Sequence, residues 1–165
     1  MTGRPAAPPP IRVASPADLE LIVALNQAGG GEQWALETLA STLASADVWG
    51  LIAARGFEPA SPPAGFLLVR HAADEAEILG LVVEVSSRRR GIARALLRAA
   101  IERMMEIGCA KLFLEVAADN APALALYKSF GLRKVGRRAD YYKRPGDIHM
   151  DALIMSLLLR KQPDH

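Results

Sequence analysis

Two stretches of this chain carry residue types that could do chemistry. In the first, the apolar run Ile78–Val85 meets Ser86-Ser87, then Arg88-Arg89-Arg90-Gly91-Ile92-Ala93, then an apolar repeat at helical spacing. This spacing predicts a strand, a tight turn and a helix beginning near Arg90. The first N–H groups of a helix have no intrahelical acceptors and carry partial positive charge. Gly91 and Ala93 have almost no side chain to cover those donors, and three arginines add donors for phosphate oxygens. The turn therefore suits a pyrophosphate, with a solvated basic turn as the plainer reading. In the second stretch, Glu115 interrupts the apolar segment Lys111–Ala117, where a carboxylate is costly unless it has a task or a partner. Tyr127 follows on the next helical segment. A glutamate can take a proton near neutral pH, and a phenol can give one to a leaving group.

The elements that must position these residues follow from pattern and punctuation. Ile11–Val13 reads as a short strand, and Ser15-Pro16 opens a helix with an N-cap serine and proline at N1. Gly29-Gly30-Gly31 ends that helix, and a second is predicted over Gln33–Ala46 with Leu36, Leu39 and Leu43 on one face. Val48–Arg55, Gly65–His71 and Asp74–Val85 read as strands. The long helix Arg90–Ile107 stops at Gly108, strand Lys111–Ala117 follows, and Asp119-Asn120 opens helix Ala121–Phe130. Leu132–Arg138 and Ala152–Leu159 read as two last strands joined by a loop, Ala139–Asp151. Strand Lys111–Ala117 should lie beside the strand that enters the arginine turn. Together these predict an α/β fold, a three-layer α/β/α sandwich around a mixed, mostly antiparallel twisted sheet. The Pro-rich leader 1–10 reads as disordered, 11–159 as a single domain and 160–165 as a frayed tail.

Composition sets bounds. With 165 residues, 51% hydrophobic and 23% charged, the chain reads as one ordinary globular domain. A net charge of +2 gives no argument for a nucleic-acid partner. Cys109 is the single cysteine, which excludes an intramolecular disulfide. No apolar run is long enough to span a bilayer, so a cytoplasmic protein without membrane association is the expectation. No pair of histidines has metal-ligand spacing, and no metal is expected.

Neither G-x-x-x-x-G-K-[ST] nor G-x-G-x-x-G is present. Arg88-Arg89-Arg90-Gly91-Ile92-Ala93 instead resembles Q/R-x-x-G-x-G/A, the acetyl-CoA signature of the GNAT superfamily of N-acetyltransferases, in its strand-to-helix setting. The resemblance covers residues 11–159. LFLEVAADNAPALALYKSFGL and RRADYYKRPGDIHMDALIMSL are most similar to the bacterial ribosomal-protein-alanine N-acetyltransferases, the RimI group. That resemblance implies backbone groups of Val83 and Val85 holding the acetyl carbonyl and pantetheine arm. It further implies amides around Arg88, Arg89, Arg90, Gly91, Ile92 and Ala93 on the pyrophosphate, and Asn120 on the cofactor. Glu115 would be the general base, Tyr127 the general acid toward sulfur, and Tyr141 and Tyr142 would line the peptide site. The implied reaction moves an acetyl group from acetyl-CoA to a protein N-terminal amine, the acceptor being a ribosomal protein with N-terminal Ala or Ser.

The chemistry agrees with that acceptor. An α-ammonium near 7.7–8.0 needs about one unit of help at pH 7, whereas lysine near 10.4 needs roughly three units more, about 4 kcal/mol. Two departures fall on the acceptor side. The Pro-Trp pair usual after the first helix is replaced by AGGGEQWALETLA, with Trp34 as stand-in, and only Asp151 keeps register in DIHMD. A small-molecule amine, a protein lysine, or a non-catalytic acetyl-CoA-binding module are therefore the alternatives. For single residues, the plainer readings are a Glu115 paired with a neighbouring arginine, a core Tyr127, and Tyr141 and Tyr142 packed on their own hairpin.

Overall fold

A computed structural model describes residues 7–58 and 60–159. Most of the predicted leader and all of the predicted tail lie outside the described residues. Pro10 is described, and its carbonyl accepts a hydrogen bond from Ala54 N at 2.9 Å. Seven strands and four α-helices are found among the described residues, in a mixed, mostly antiparallel α/β arrangement. The chain divides into two compact units. One holds the residues up to Val69 together with Gly80–Glu102; the other holds Arg70–Leu79 and the residues from Arg103 onward.

In the first unit, β1 (Ile11–Val13) runs antiparallel to β2 (Val48–Ala54), with Arg12 opposite Ile52. A 3-10 turn, Pro16–Asp18, leads into α1 (Leu19–Ala28). Ser15 and Asp18 form a capping box there, and Arg12 closes it with two hydrogen bonds to Asp18, 2.9 and 2.8 Å long. The Arg12 guanidinium is the main reason that the Asp18 carboxyl is lowered to about 2. Next come α2 (Leu36–Ala44), β2, and the first part of β3 (Pro63–Ala72). The end of β4 (Glu75–Val83), a 3-10 turn at Val85–Ser87 and the first turns of α3 (Ile92–Glu106) complete the unit. Ile22, Leu39, Phe66, Leu67, Leu96 and Leu97 are among its fully buried side chains.

In the second unit, the start of β4 pairs in parallel with β5 (Lys111–Ala117), Glu77 lying opposite Phe113. The predicted neighbourhood of these two strands is therefore observed. β5 pairs antiparallel with β7 (Ile148–Leu158), and β7 with β6 (Arg133–Arg144). β5 alternates strictly: Leu112, Leu114 and Val116 are buried, while Lys111, Phe113, Glu115 and Ala117 share the half-buried face. α3 and α4 (Ala121–Ser129) both end in Schellman motifs. Cys109 N bonds Met104 O and Gly108 N bonds Met105 O; Leu132 N bonds Tyr127 O and Gly131 N bonds Lys128 O. Gly108 (φ +87°) and Gly131 (φ +90°) supply the left-handed residue each motif requires.

Three expectations need correction. The loop predicted at Ala139–Asp151 is mostly strand: β6 continues to Arg144 and β7 begins at Ile148. Ten of the twelve β6 residues are exposed and six are cationic, so apolar alternation, the usual mark of a strand, is absent. α2 begins at Leu36 and not at Gln33. Gln33 Nε2 is used to hold the carbonyl of Gly31 at 3.0 Å, and Leu36 is 55% exposed, off the buried face set by Leu39 and Thr42. Finally, α3 begins at Ile92 and Val85 lies in the 3-10 turn, outside the strand. The left-handed Arg89 (φ +62°) and Gly91 (φ +79°) are incompatible with helix at those positions.

Candidate functional site

The predicted site residues fall into two groups, one in each unit. The first is built on the end of β4. Glu84 N donates to Ala64 O at 2.9 Å, which keeps the strand end beside β3. A Cβ on Gly65 would lie 2.7 Å from the Val82 carbonyl oxygen and 3.2 Å from Val83 Cγ2, so this close approach needs glycine. After Val83, the 3-10 turn is pinned from below. Glu84 Oε1 accepts from Ser87 Oγ and from Arg55 Nε (3.0 Å), and Arg55 Nε also reaches Ser87 Oγ at 3.2 Å. The Ser87 hydroxyl, followed by Arg55, holds the Glu84 carboxyl below its usual range. Neither Glu84 nor Arg55 was singled out by sequence reasoning. Ser87 is fully buried inside the basic turn, a fact that only the structure provides.

Above this anchor the backbone is open. Gly91 is exposed, and a Cβ placed on it would meet nothing within 4 Å. Ile92 is buried and fixes the first turn of α3, while Ala93 is half-buried and adds no bulk. A helix N-terminus opening on small residues suits an anion. Arg88, Arg89 and Arg90 are all exposed, but their roles differ. The Arg88 guanidinium donates through Nη2 to the carbonyl of Gly29, tying the turn to the segment between α1 and α2. Gly29 itself is buried, and a Cβ there would overlap Val82. Trp34 lies in the same unit, its ring over Gly80, where a Cβ would sit 3.1 Å from Trp34 Cζ2. Gly80 is the counterpart of Trp34 that sequence reasoning missed. Val83 is half-buried, whereas the Val85 side chain is 56% exposed.

The second group lies on β5, α4 and the β6–β7 hairpin. Glu115 is on the half-buried face of β5, its side chain 19% exposed, and its Oε1 is paired with Arg138 Nε at 3.0 Å. Arg138 is 54% exposed, so the pair contributes at most about 1 kcal/mol to stability. The Arg138 guanidinium carbon stands 5.2 Å from the centroid of the Tyr141 ring, and Tyr141 meets Tyr142 edge to face at 5.0 Å. Asp140 (φ +53°) sits in a register shift between Arg138, opposite Ala152, and Tyr142, opposite Met150. Such a bulge re-aims side chains. Asp151 fixes it, accepting from Asp140 N at 2.9 Å and pairing with Arg137. These two contacts, the backbone one first, hold the Asp151 carboxyl below its usual range.

Tyr127 is buried in the last turn of α4, its backbone carbonyl engaged by the Schellman motif. Burial, with a smaller contribution from Tyr142, pushes its hydroxyl up to about 12, so it stays protonated throughout the neutral range. Asn120 is exposed and caps α4, Oδ1 accepting from Ala123 N at 3.3 Å. One further carboxylate belongs to this face. Glu77 on β4 is raised above its usual value, chiefly by burial and additionally by Glu115, against the opposing charges of Arg70 and Arg138. Neither Arg138 nor Glu77 carried a sequence signal, because their relation to Glu115 exists only through strand register. Among the described residues, no group of three or more His, Cys, Asp or Glu side chains could hold a metal ion.

Comparison with known proteins decides the family. The model of the acetyltransferase (GNAT) family matches residues 32–132, more than half of the chain. The chain belongs to the GNAT family. Over 94 residues this GNAT chain is 39% identical to [ribosomal protein bS18]-alanine N-acetyltransferase of Escherichia coli K12. That stretch is 57% of this chain and 63% of the relative, less than two thirds of the relative's length. Among solved structures, the ribosomal-protein-S18-alanine N-acetyltransferase from Escherichia coli superposes with a TM-score of 0.82 at 28% identity, covering 94% of this chain and 97% of that one. NAA60 of Arabidopsis thaliana, solved in complex with acetyl-CoA, shares the fold with a TM-score of 0.78 at 24% identity, covering 91% and 98% of the two chains.

Proposed function

We propose that this GNAT-family chain transfers an acetyl group from acetyl-CoA to the N-terminal α-amine of a protein, a ribosomal protein with N-terminal Ala or Ser being the acceptor. The observation that carries this reading is the 39% identity to the bS18-alanine N-acetyltransferase, supported by the TM-score of 0.82 with the enzyme of that name. The turn residues fit the cosubstrate: an uncovered glycine, a helix N-terminus and flanking arginines suit a pyrophosphate. Backbone groups of Val83 and Val85 would hold the acetyl carbonyl and the pantetheine arm, the donor at Val83 serving the oxyanion. Amides from Arg88 to Ala93, with the side chains of Arg89 and Arg90, would hold the phosphates, and Asn120 would add a contact. Trp34, Tyr141 and Tyr142 would shape the acceptor's place.

In this mechanism the acceptor nitrogen attacks the thioester carbon directly. The C–N bond forms, the C–S bond breaks, and the nitrogen's proton goes to Glu115, through a water where needed. Tyr127 donates its hydroxyl proton toward the departing sulfur. A phenol at about 12 is a weak acid, so this contribution falls below the usual range of acid catalysis, at about ten-fold. No covalent intermediate on the protein is required, because the thioester is already activated.

Release of free thiol from acetyl-CoA tests the reading. The panel holds peptides beginning with Ala, Ser, Gly and Met, a lysine-bearing peptide with a blocked N-terminus, and polyamines. Turnover confined to free N-termini, best with Ala or Ser, is expected. Turnover on lysine or polyamines alone would keep the acetyl transfer and overturn the acceptor.

A further inference from the structure

We propose that Arg138 is the positioning residue for Glu115, fixing its carboxylate and joining it to the acceptor-side tyrosines. The inference rests on the reading of Glu115 as general base and deepens it. Arg138 stands on β6 opposite Ala152 of β7, and Ala152 stands opposite Ala117 of β5. Glu115 is two residues from Ala117, on the same face of β5. The two small side chains in this row leave room for the arginine stem to cross β7 and place Nε 3.0 Å from Glu115 Oε1. From the other side the same guanidinium lies 5.2 Å from the Tyr141 ring, which in turn abuts Tyr142. Glu115, Arg138, Tyr141 and Tyr142 thus form one continuous chain of contacts. The bulge at Asp140, held by Asp151, sets the distance between its second and third members.

A carboxylate on a flexible stem has several rotamers, and only some present a lone pair to an incoming amine. A planar guanidinium holding one oxygen leaves the other oriented. The same contact makes the orientation sensitive to whether Tyr141 is in place. The role assigned to Arg138 is therefore to act on the reaction through Glu115.

Steady-state kinetics of the full chain with an Ala-starting peptide test this. Arg138→Met is expected to lower kcat about ten-fold, the scale of lost orientation, with the KM for acetyl-CoA unchanged. Arg138→Lys, which keeps the charge and loses the planar fork, should recover part of the loss. In a Glu115→Gln background, Arg138→Met should add almost nothing, and a Tyr141→Leu cycle with Arg138→Met should likewise be sub-multiplicative. Losses that multiply, or a change confined to the KM for acetyl-CoA, would overturn the positioning role while leaving Glu115 as base. Full activity of Glu115→Gln would instead sink the base itself. Carbon-13 NMR of the glutamate carboxylates reads the pair without turnover. The resonance assigned to Glu115 must move in Arg138→Met and move less in Arg138→Lys, and an unmoved resonance overturns the proposal even for a protein that acetylates nothing.

Discussion

The arginine turn and the β6–β7 hairpin solve different problems with different materials. At the turn the chemistry is in the backbone: Gly91 is open, Arg89 and Gly91 take left-handed φ, and the side chains of Glu84, Ser87 and Arg55 brace the turn from below. At the hairpin the backbone is a bulged ladder, and the chemistry is in side chains that meet across strands. A backbone site needs small residues in a fixed order, which a linear string records. A side-chain site needs register, which a linear string does not record. That contrast explains why the turn carries a short local signature and the hairpin does not.

Substitutions on the two sides should therefore fail in different ways. The largest effect is expected at Glu115. Glu115→Gln keeps the shape and loses the proposed proton acceptor, and kcat should fall about a hundred-fold or more while acetyl-CoA still binds. Isothermal calorimetry alongside thiol release measures both. Lost cofactor binding in this variant would mean that the hairpin group is not separable from the turn. Tyr127→Phe should cost about ten-fold in kcat. It also has a signature in stability. The native phenol, at about 12, ionises later than an unfolded tyrosine near 10. Native stability is thus lost as pH rises from 10 toward 12, and Tyr127→Phe should lose less over that interval in alkaline melts.

At the turn the failure should be in binding. Gly91→Val places a β-branched side chain at φ +79°, which strains the backbone although the space is open. The Kd for acetyl-CoA should rise about ten-fold, equivalent to about 1.4 kcal/mol, with little change in the KM of the peptide. A Gly91→Val protein that binds acetyl-CoA normally would show that the backbone geometry there is incidental.

How much of this was legible in the sequence follows the same division. Strand–turn–helix around Arg88–Ala93 was readable because glycine, arginine and apolar periodicity each have a local meaning. The start of α3 slipped by two residues, since nothing in the string tells that Arg89 adopts the left-handed region. Glu115 was conspicuous as a charge inside an apolar strand, and its pairing with an arginine was foreseen as an alternative to a catalytic task. The structure shows the pair, with Arg138 as partner. With its arginine half-exposed this pair adds little to stability, so pairing and the proposed catalytic task are compatible. The second half of β6, from Ala139 onward, reads as loop in the sequence because an edge strand with one paired side needs no apolar alternation, and its cations are the usual guard against edge-to-edge association.

An ion pair built into a helix start gives the smaller effect and the control. Arg12 and Asp18 close the capping box at the start of α1, with Asp18 held at about 2. Asp18→Asn should cost about 1 kcal/mol at pH 7, the half-exposed guanidinium limiting the gain. A group with a depressed pKa stabilises above its unfolded value and loses that contribution as pH falls through the folded one. The difference between the two proteins should therefore shrink between pH 4 and pH 2 in thermal melts. Acetyl transfer at pH 7 should be unchanged. An activity loss matching that of Arg138→Met would erase the distinction between an ion pair that holds a helix start and one that orients a carboxylate.

The smallest expected effect, and the one that presses hardest on the assignment of the base, is at Glu77. It shares the charged face of Glu115 and Arg138, and its carboxyl is raised by burial and by Glu115, with Arg70 and Arg138 opposing. A raised carboxyl works in the opposite sense to Asp18. The unfolded chain ionises first as pH rises, so the folded state is penalised above the unfolded value near 4.3 and the penalty levels off past the folded one. Glu77→Gln should thus be slightly stabilising at pH 7, by about 0.5 kcal/mol, and neutral at pH 4. Because Arg138 then faces Glu115 without a competitor, kcat should stay within about two-fold of the parent, the orientation being kept. A loss comparable to that of Glu115→Gln would mean that the proton leaves through Glu77. Glu115 and Arg138 would then be the brace for that carboxylate. The two strands β4 and β5 would exchange roles, and the division between a backbone-built turn and a side-chain-built hairpin would have to be redrawn through β4.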